Sequence, residues 1–229
     1  RPEAVKMAPV VLALKSQPWA DVRVLATAQH RQMLDQIHAF FGIVPDRDLD
    51  MMRPNQTLSD LTARMIAAMD PVLAEEAPDL VLAQGDTTSV MVTALASFYR
   101  KIPFGHVEAG LRTGDVRNPF PEEMNRVLIG RMAELHFAPT EGSAANLRKE
   151  GLTDGVHVTG NTVIDALLWA AERVDTAPFL PPTGKKLVLV TAHRRENHGE
   201  PLENVCAALR DIADRGDVKI LYPVHPNPN

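Results

Sequence analysis

The stretch Asp79-Leu-Val-Leu-Ala-Gln-Gly-Asp-Thr-Thr-Ser89 (DLVLAQGDTTS) decides the architecture. Pro78 ends the helical pattern before it, and a short, near-continuous apolar run follows. Such a run between longer helical segments reads as a strand buried on both faces, the mark of a parallel sheet covered by helices. Gly85 then permits a turn, and the hydroxyl-rich Asp86–Ser89 leads into a helical pattern over 88–100. Ligands of open parallel sheets bind beyond the carboxyl ends of the strands, so this turn is also the first place to look for a site. The bland reading is that Asp86 or Thr87 caps the next helix.

The same alternation extends in both directions. Strands are expected at 22–27, 79–84, 102–107, 135–138 and 156–159, with helices at 31–41, 58–76, 88–100, 121–132, 140–150 and 162–174. The segment 3–14 reads as a helix that Pro9 bends or delays, and a doubly wound fold wants a strand ahead of it. Thr176–Gly184 holds three prolines and reads as a linker. A further strand, helix and strand follow at 187–191, 202–214 and 219–222. The expected organisation is a first domain over 1–175 without its opening strand, a linker over 176–184, and the beginning of a second domain over 185–229. The fold class is α/β, with a Rossmann-like parallel sheet. The chain opens on Arg1 rather than Met and closes on YPVHPNPN, so it reads as a fragment cut within its second domain.

The composition is that of a globular protein: 45% hydrophobic, 23% charged and a net charge of −5 with both signs interleaved. It offers no basic stripe for nucleic acid. No apolar run approaches membrane-spanning length and no signal peptide is evident, which points to the cytoplasm. Cys206, the single cysteine, lies in an apolar helical run and is expected to be buried and inert. The histidines have no metal-ligand spacing, and there is no Walker A loop, GxGxxG fingerprint or nucleophile elbow.

Two more polar clusters fall at strand ends. In His106-Val-Glu-Ala-Gly-Leu-Arg-Thr113, alternation puts His106 and Glu108 on one face. Glu108 is either catalytic or ion-paired with Arg112. In Pro119-Phe-Pro-Glu-Glu-Met-Asn-Arg126, Glu122 and Arg126 are four apart on one helix face. Asp86, Glu108 and Glu122 are thus candidates to converge, and crowded carboxylates separate into acid and base roles. Beyond the linker, Thr191-Ala-His-Arg-Arg-Glu-Asn197 sets His193 and Arg194 before a helix, either as a solvated basic loop or as a phosphate site.

Together the segments RPEAVKMAPV, TAQHRQMLDQ, DLVLAQGDTTS, GHVEAGLRTGD, NPFPEEMNR, HFAPTE, VTGNTVIDAL, VTAHRREN and YPVHPNPN, in that order, resemble the non-hydrolysing UDP-N-acetylglucosamine 2-epimerases. The resemblance implies a two-domain, glycosyltransferase-B-like architecture whose second domain is truncated here. It implies interconversion of UDP-GlcNAc and UDP-ManNAc by elimination of UDP to 2-acetamidoglucal and re-addition. No cofactor or metal is implied. Asp86, Glu108, Glu122 and His193 match the catalytic residues, with Arg126 orienting Glu122. Arg1, Lys6, Arg112 and Arg194 are counted with the substrate-binding set. Gln29, His30, Gln32, Gln56 and His225 match a second, activating UDP-GlcNAc site, although regulated members carry Arg where this chain has Asn55. A homodimer serving cell-surface polysaccharide synthesis is expected of the whole protein, and little turnover of a truncated one. A hydrolysing 2-epimerase, a glycosyltransferase of the same architecture and a non-catalytic UDP-sugar-binding fragment are the alternatives.

Overall fold

The computed structural model describes residues 2–27, 31–51, 53, 55–181, 184–192 and 199–224. The chain divides into two compact units, Arg1–Ala171 and Glu172–Asn229. The first runs α1 (Pro2–Lys15), β1 (Leu25–Ala26), α2 (Arg31–Phe41), β2 (Arg47–Asp48), α3 (Leu58–Glu76), β3 (Val81–Gln84), α4 (Thr88–Tyr99), β4 (Phe104–Val107), α5 (Glu122–Met132), β5 (Leu135–Ala138), α6 (Glu141–Lys149), β6 (Val156–Val158) and α7 (Thr162–Ala171). The fold is α/β with parallel sheets: β3-β4-β5-β6 pair in that order, and β1 pairs with β2.

Helix ends follow local chemistry. Thr57 caps α3 by accepting from the Asp60 amide at 3.1 Å, and Thr140 does the same for α6 from Ser143 at 3.1 Å. Ala77 leaves α3 in the left-handed region at φ 41°, and Pro78 cannot resume the helix. Pro9 does not delay α1: the helix runs from Pro2 through it to Lys15.

Buried side chains of α3 and α4 (Leu61, Met65, Met69, Leu73, Val92 and Ala96) make one apolar cluster. On its other face α4 meets β4 and α5 through Val90, Ala94, Phe104 and Ile129. Burial of each large apolar side chain contributes roughly 1.5–3 kcal/mol, so these layers fix where the ends of β3 and β4 lie. A bidentate pair of Arg100 with Asp70, both bonds 2.7 Å, ties α3 to α4 at the surface.

The second unit holds a 3₁₀ turn (Ala177–Phe179), β7 (Lys186–Leu189), α8 (Glu200–Asp214) and β8 (Val218–Leu221), with β7 and β8 parallel. Tyr222 donates to the Ala192 carbonyl at 2.7 Å. Cys206 corrects an expectation: it is exposed. No residue of α8 is buried, because two strands give the helix too small a surface to cover its apolar stripe.

Candidate active site

β3 ends on Gln84, and Gly85, at φ +94°, turns the chain towards α4. The Gly85 amide donates to the Val107 carbonyl at 3.1 Å, stitching the turn to β4. Thr87 occupies the N-cap position without a side-chain cap bond. Asp86 does not cap either; its carboxylate is directed to α5.

There Arg126 places Nε 2.9 Å and Nη2 2.6 Å from Asp86 Oδ2, and its Nη1 donates to Glu123 Oε2 at 2.8 Å. This corrects the expected pairing of Arg126 with Glu122. The i,i+4 geometry allowed that pair, but Glu123, only 1% exposed, takes the arginine at i,i+3. Its Oε1 also accepts the amides of Thr113 at 2.8 Å and Gly114 at 3.0 Å. Burial opposes ionisation of Glu123, yet the Gly114 amide, Arg126 and the Thr113 amide outweigh it and lower its pKa. Glu123 is the residue that sequence reasoning missed. Asn125 completes the staple, its Nδ2 donating to the Asp86 carbonyl at 2.8 Å.

Glu122 is left unengaged. Among the described residues it has no hydrogen-bond partner, and it lines a cavity of about 170 Å³ together with Leu58, Leu61, Thr87, Thr88, Pro121 and Asn125.

Glu108 follows β4 in the left-handed region, at φ +66°. Lys6 of α1 reaches both its oxygens at 2.7 Å. Asn161 Nδ2 donates to Oε1 at 2.7 Å, and Gln84 Nε2 donates to Oε2. The pair is largely shielded, with side-chain exposures of 20% for Lys6 and 12% for Glu108. An ion pair of Glu108 with Arg112 does not form. Arg112 instead grips Glu150 with two bonds of 2.7 and 3.0 Å and the Leu111 carbonyl at 2.8 Å. It braces the loop against α6 and is not brought together with Asp86, Glu108 and Lys6.

His106, 1% exposed, sets Nε2 2.8 Å from the Gly85 carbonyl. Burial pushes its pKa down to about 4; the Gly85 bond opposes this, His136 and Arg112 add to it, and Glu108 opposes it. An unfolded histidine titrates near 6.5, so between pH 6.5 and about 4 the unfolded chain takes up a proton that the folded one refuses. The folded-state stability tied to this group is therefore complete above pH 6.5 and falls as the pH drops through that window. Urea unfolding at pH 5 is expected to show a loss of about 2 kcal/mol relative to pH 7 from His106 alone. His106→Gln is expected to remove that share, and an unchanged slope in the variant would contradict a neutral buried ring. His136, lowered by burial and then by Arg112, adds to the slope in both proteins.

Of the remaining candidates, Arg1, Gln29, His30, His193, Arg194 and His225 lie outside the described residues, and of Gln32 only its place in α2 is described. The Gln56 Oε1 accepts from Arg64 Nη2. Among the described residues, no group of three or more His, Cys, Asp or Glu side chains is arranged to hold a metal ion, and no helix is long and apolar enough to cross a membrane.

The arrangement offers one carboxylate shared with a guanidinium, one saturated by an ammonium and two amides, and one facing a cavity. A family model described as UDP-N-acetylglucosamine 2-epimerase matches residues 12–229. The chain belongs to this family. The Escherichia coli K12 UDP-N-acetylglucosamine 2-epimerase is 52% identical over the whole chain, which spans 64% of that relative's length. Among solved structures, a Neisseria meningitidis UDP-GlcNAc 2-epimerase bound to UDP-GlcNAc superposes with a TM-score of 0.89 at 45% identity, covering 100% of this chain and 64% of that one. A Methanocaldococcus jannaschii 2-epimerase in complex with UDP-GlcNAc and UDP matches with a TM-score of 0.81 at 33% identity, covering 99% and 64% respectively. The α/β fold with parallel sheets is thus that of the 2-epimerase family.

Proposed function

We propose that this chain carries the acid/base part of a non-hydrolysing UDP-GlcNAc 2-epimerase site, acting in the interconversion of UDP-GlcNAc and UDP-ManNAc. The observation that supports the reading best is the division of labour among three carboxylates at adjoining element ends. Glu122, unpartnered among the described residues at the start of α5, is suited to take the C2 proton. Among the described residues Asp86 is held through Oδ2 alone, which leaves Oδ1 for the sugar or for proton return. Glu108 already accepts from Lys6, Asn161 and Gln84, so its role is to hold charge in place rather than to move protons.

The reaction needs a base against C2 and positive charge at the departing diphosphate. Elimination breaks the C2–H and anomeric C–O bonds to give 2-acetamidoglucal and UDP. Re-addition of UDP with protonation from the opposite face gives the epimer. Lys6, Arg1, His193 and Arg194 are assigned to the diphosphate. Arg126 serves Asp86, while Arg112, committed to Glu150, acts at most through the loop it braces. Gln29, His30, Gln32, Gln56 and His225 are assigned to a second UDP-GlcNAc site. We also assign residues 1–175 and 185–229 to two domains joined by 176–184, in a cytoplasmic homodimer.

The test uses the longest form of the polypeptide that carries this chain, incubated with UDP-GlcNAc in heavy water and followed by NMR. UDP-ManNAc bearing deuterium at C2 is expected. Free ManNAc with stoichiometric UDP would replace the reading with the hydrolysing reaction. No change without an added acceptor would move it to a transferase or a binding protein.

A further inference from the structure

His106 takes no part in the chemistry described above, yet it sits between two residues that do. It lies on β4, opposite His136 of β5, two positions before Glu108. Its Nε2 faces the Gly85 carbonyl at 2.8 Å, and its buried Nδ1 has no partner among the described residues. A carbonyl oxygen only accepts, so Nε2 carries the proton and Nδ1 the lone pair.

Gly85 is held twice by β4: its carbonyl by His106, and its amide by the Val107 carbonyl at 3.1 Å. The next residue is Asp86, whose carbonyl and carboxylate are held from α5 by Asn125 and Arg126. Without His106 the turn keeps its ties to α5 but loses a side-chain tie to the strand that leads into Glu108. The titratable and charged groups around the ring are His136, Arg112 and Glu108; Arg112 is compensated by Glu150 and Glu108 by Lys6. The neutral ring is thus the form these surroundings accept.

We propose that His106 is a positioning residue whose Nε2–H, held on the Gly85 carbonyl, sets Asp86 in register with Glu108. The proposal rests on the epimerase reading for its kinetic consequence, but its geometric content does not. A core histidine that merely fills space would tolerate any side chain of similar volume. A positioning donor would not, because a misplacement of about 1 Å at a reacting group costs on the order of 100-fold.

Two variants separate these cases in the longest form of the polypeptide. His106→Phe keeps ring volume and removes the donor; His106→Gln places an amide N–H where Nε2 was. For C2 deuteration, His106→Phe is expected to lower kcat roughly 30- to 100-fold with KM within about twofold, and His106→Gln to recover most of the loss. Wild-type kcat in His106→Phe, or equal losses in both variants, would overturn the proposal. Long-range proton–nitrogen spectra of the unsubstituted protein are expected to show a protonated Nε2 and an unprotonated Nδ1 at neutral pH. The reverse tautomer would overturn the proposal even if His106→Phe failed to fold. If the unsubstituted protein exchanged no deuterium at all, the epimerase reading would fail. The positioning would then be judged by the Arg126 Nε–H resonance, which is expected to shift in His106→Phe and return in His106→Gln; an unshifted resonance would overturn it.

Discussion

Glu123→Ala is expected to lower folding stability by about 4 kcal/mol, whereas Glu122→Ala is expected to cost under about 1 kcal/mol and to abolish C2 deuteration. The two residues are neighbours of identical chemistry, so the contrast comes from their surroundings. Removing the buried Glu123 carboxylate orphans the Thr113 and Gly114 amides and takes one of two carboxylates from Arg126. The two amides belong to exposed residues and can turn to water, so most of the loss comes from the shielded ion pair with Arg126, whose breaking costs roughly 3–5 kcal/mol. Glu122 makes no such bonds among the described residues. The Glu123 contribution also has a pH signature. Because its folded pKa is lowered, the stabilisation is complete above the ordinary glutamate range near 4.3 and is lost as the pH falls through the lower folded value. Urea titrations of both variants at neutral pH supply the check. Greater destabilisation by Glu122→Ala than by Glu123→Ala would reverse the assignment of roles.

Gly110→Ala is expected to destabilise by roughly 3 kcal/mol and to impair any activity that depends on Glu108. At φ +85° an alanine is strained, and its Cβ would fall 2.2 Å from the Ser143 carbonyl oxygen and 3.1 Å from Leu147 Cγ. The obstructing atom is α6 backbone, which cannot rotate aside, so the loop itself must lift. Glu108 stands two residues upstream and would move with it. Gly114 is the internal control: its φ is similar, +83°, but a Cβ there meets nothing within 4 Å. Gly114→Ala should therefore cost only the conformational strain, about 1 kcal/mol. Equal unfolding midpoints for the two variants would show that close packing on α6 is not what Gly110 provides.

The long elements were legible because their patterns are unambiguous: β3 and β4 are short strand-forming runs, although only β4 is buried throughout and Val81, Leu82 and Ala83 of β3 are half-buried, and α3 shows its buried face as Leu61, Met65, Met69 and Leu73. β2 was not, since it is two exposed residues, Arg47 and Asp48, with no pattern to read. The convergence of three polar clusters followed from strand ends in a parallel sheet. The partners within them did not, because helical spacing cannot choose between i,i+3 and i,i+4 when Glu122 and Glu123 stand side by side. The arginine's choice was made by the Thr113 and Gly114 amides, which hold the Glu123 carboxylate in place. Likewise Glu108 had a plausible local partner in Arg112 and a distant one in Lys6, and only the packing of α1 near the end of β3 decides between them. The single signal that could have pointed to Glu123 was its position one residue off the exposed face of α5. Cys206 misled because an apolar helical stripe predicts burial only when there is a surface to meet it.

The left-handed backbone of Glu108 bears on how this protein could be improved or damaged by selection. A glutamate at φ +66° occupies a region that asparagine or glycine enters more readily, and replacing both members of a shielded ion pair is often neutral or stabilising. A double exchange of Lys6→Met and Glu108→Asn, which leaves an amide oxygen as acceptor for Gln84 and Asn161, therefore costs the fold little. A library screened only for heat resistance would drift towards such sequences, and would discard the proposed chemistry without any sign of distress in its melting curves.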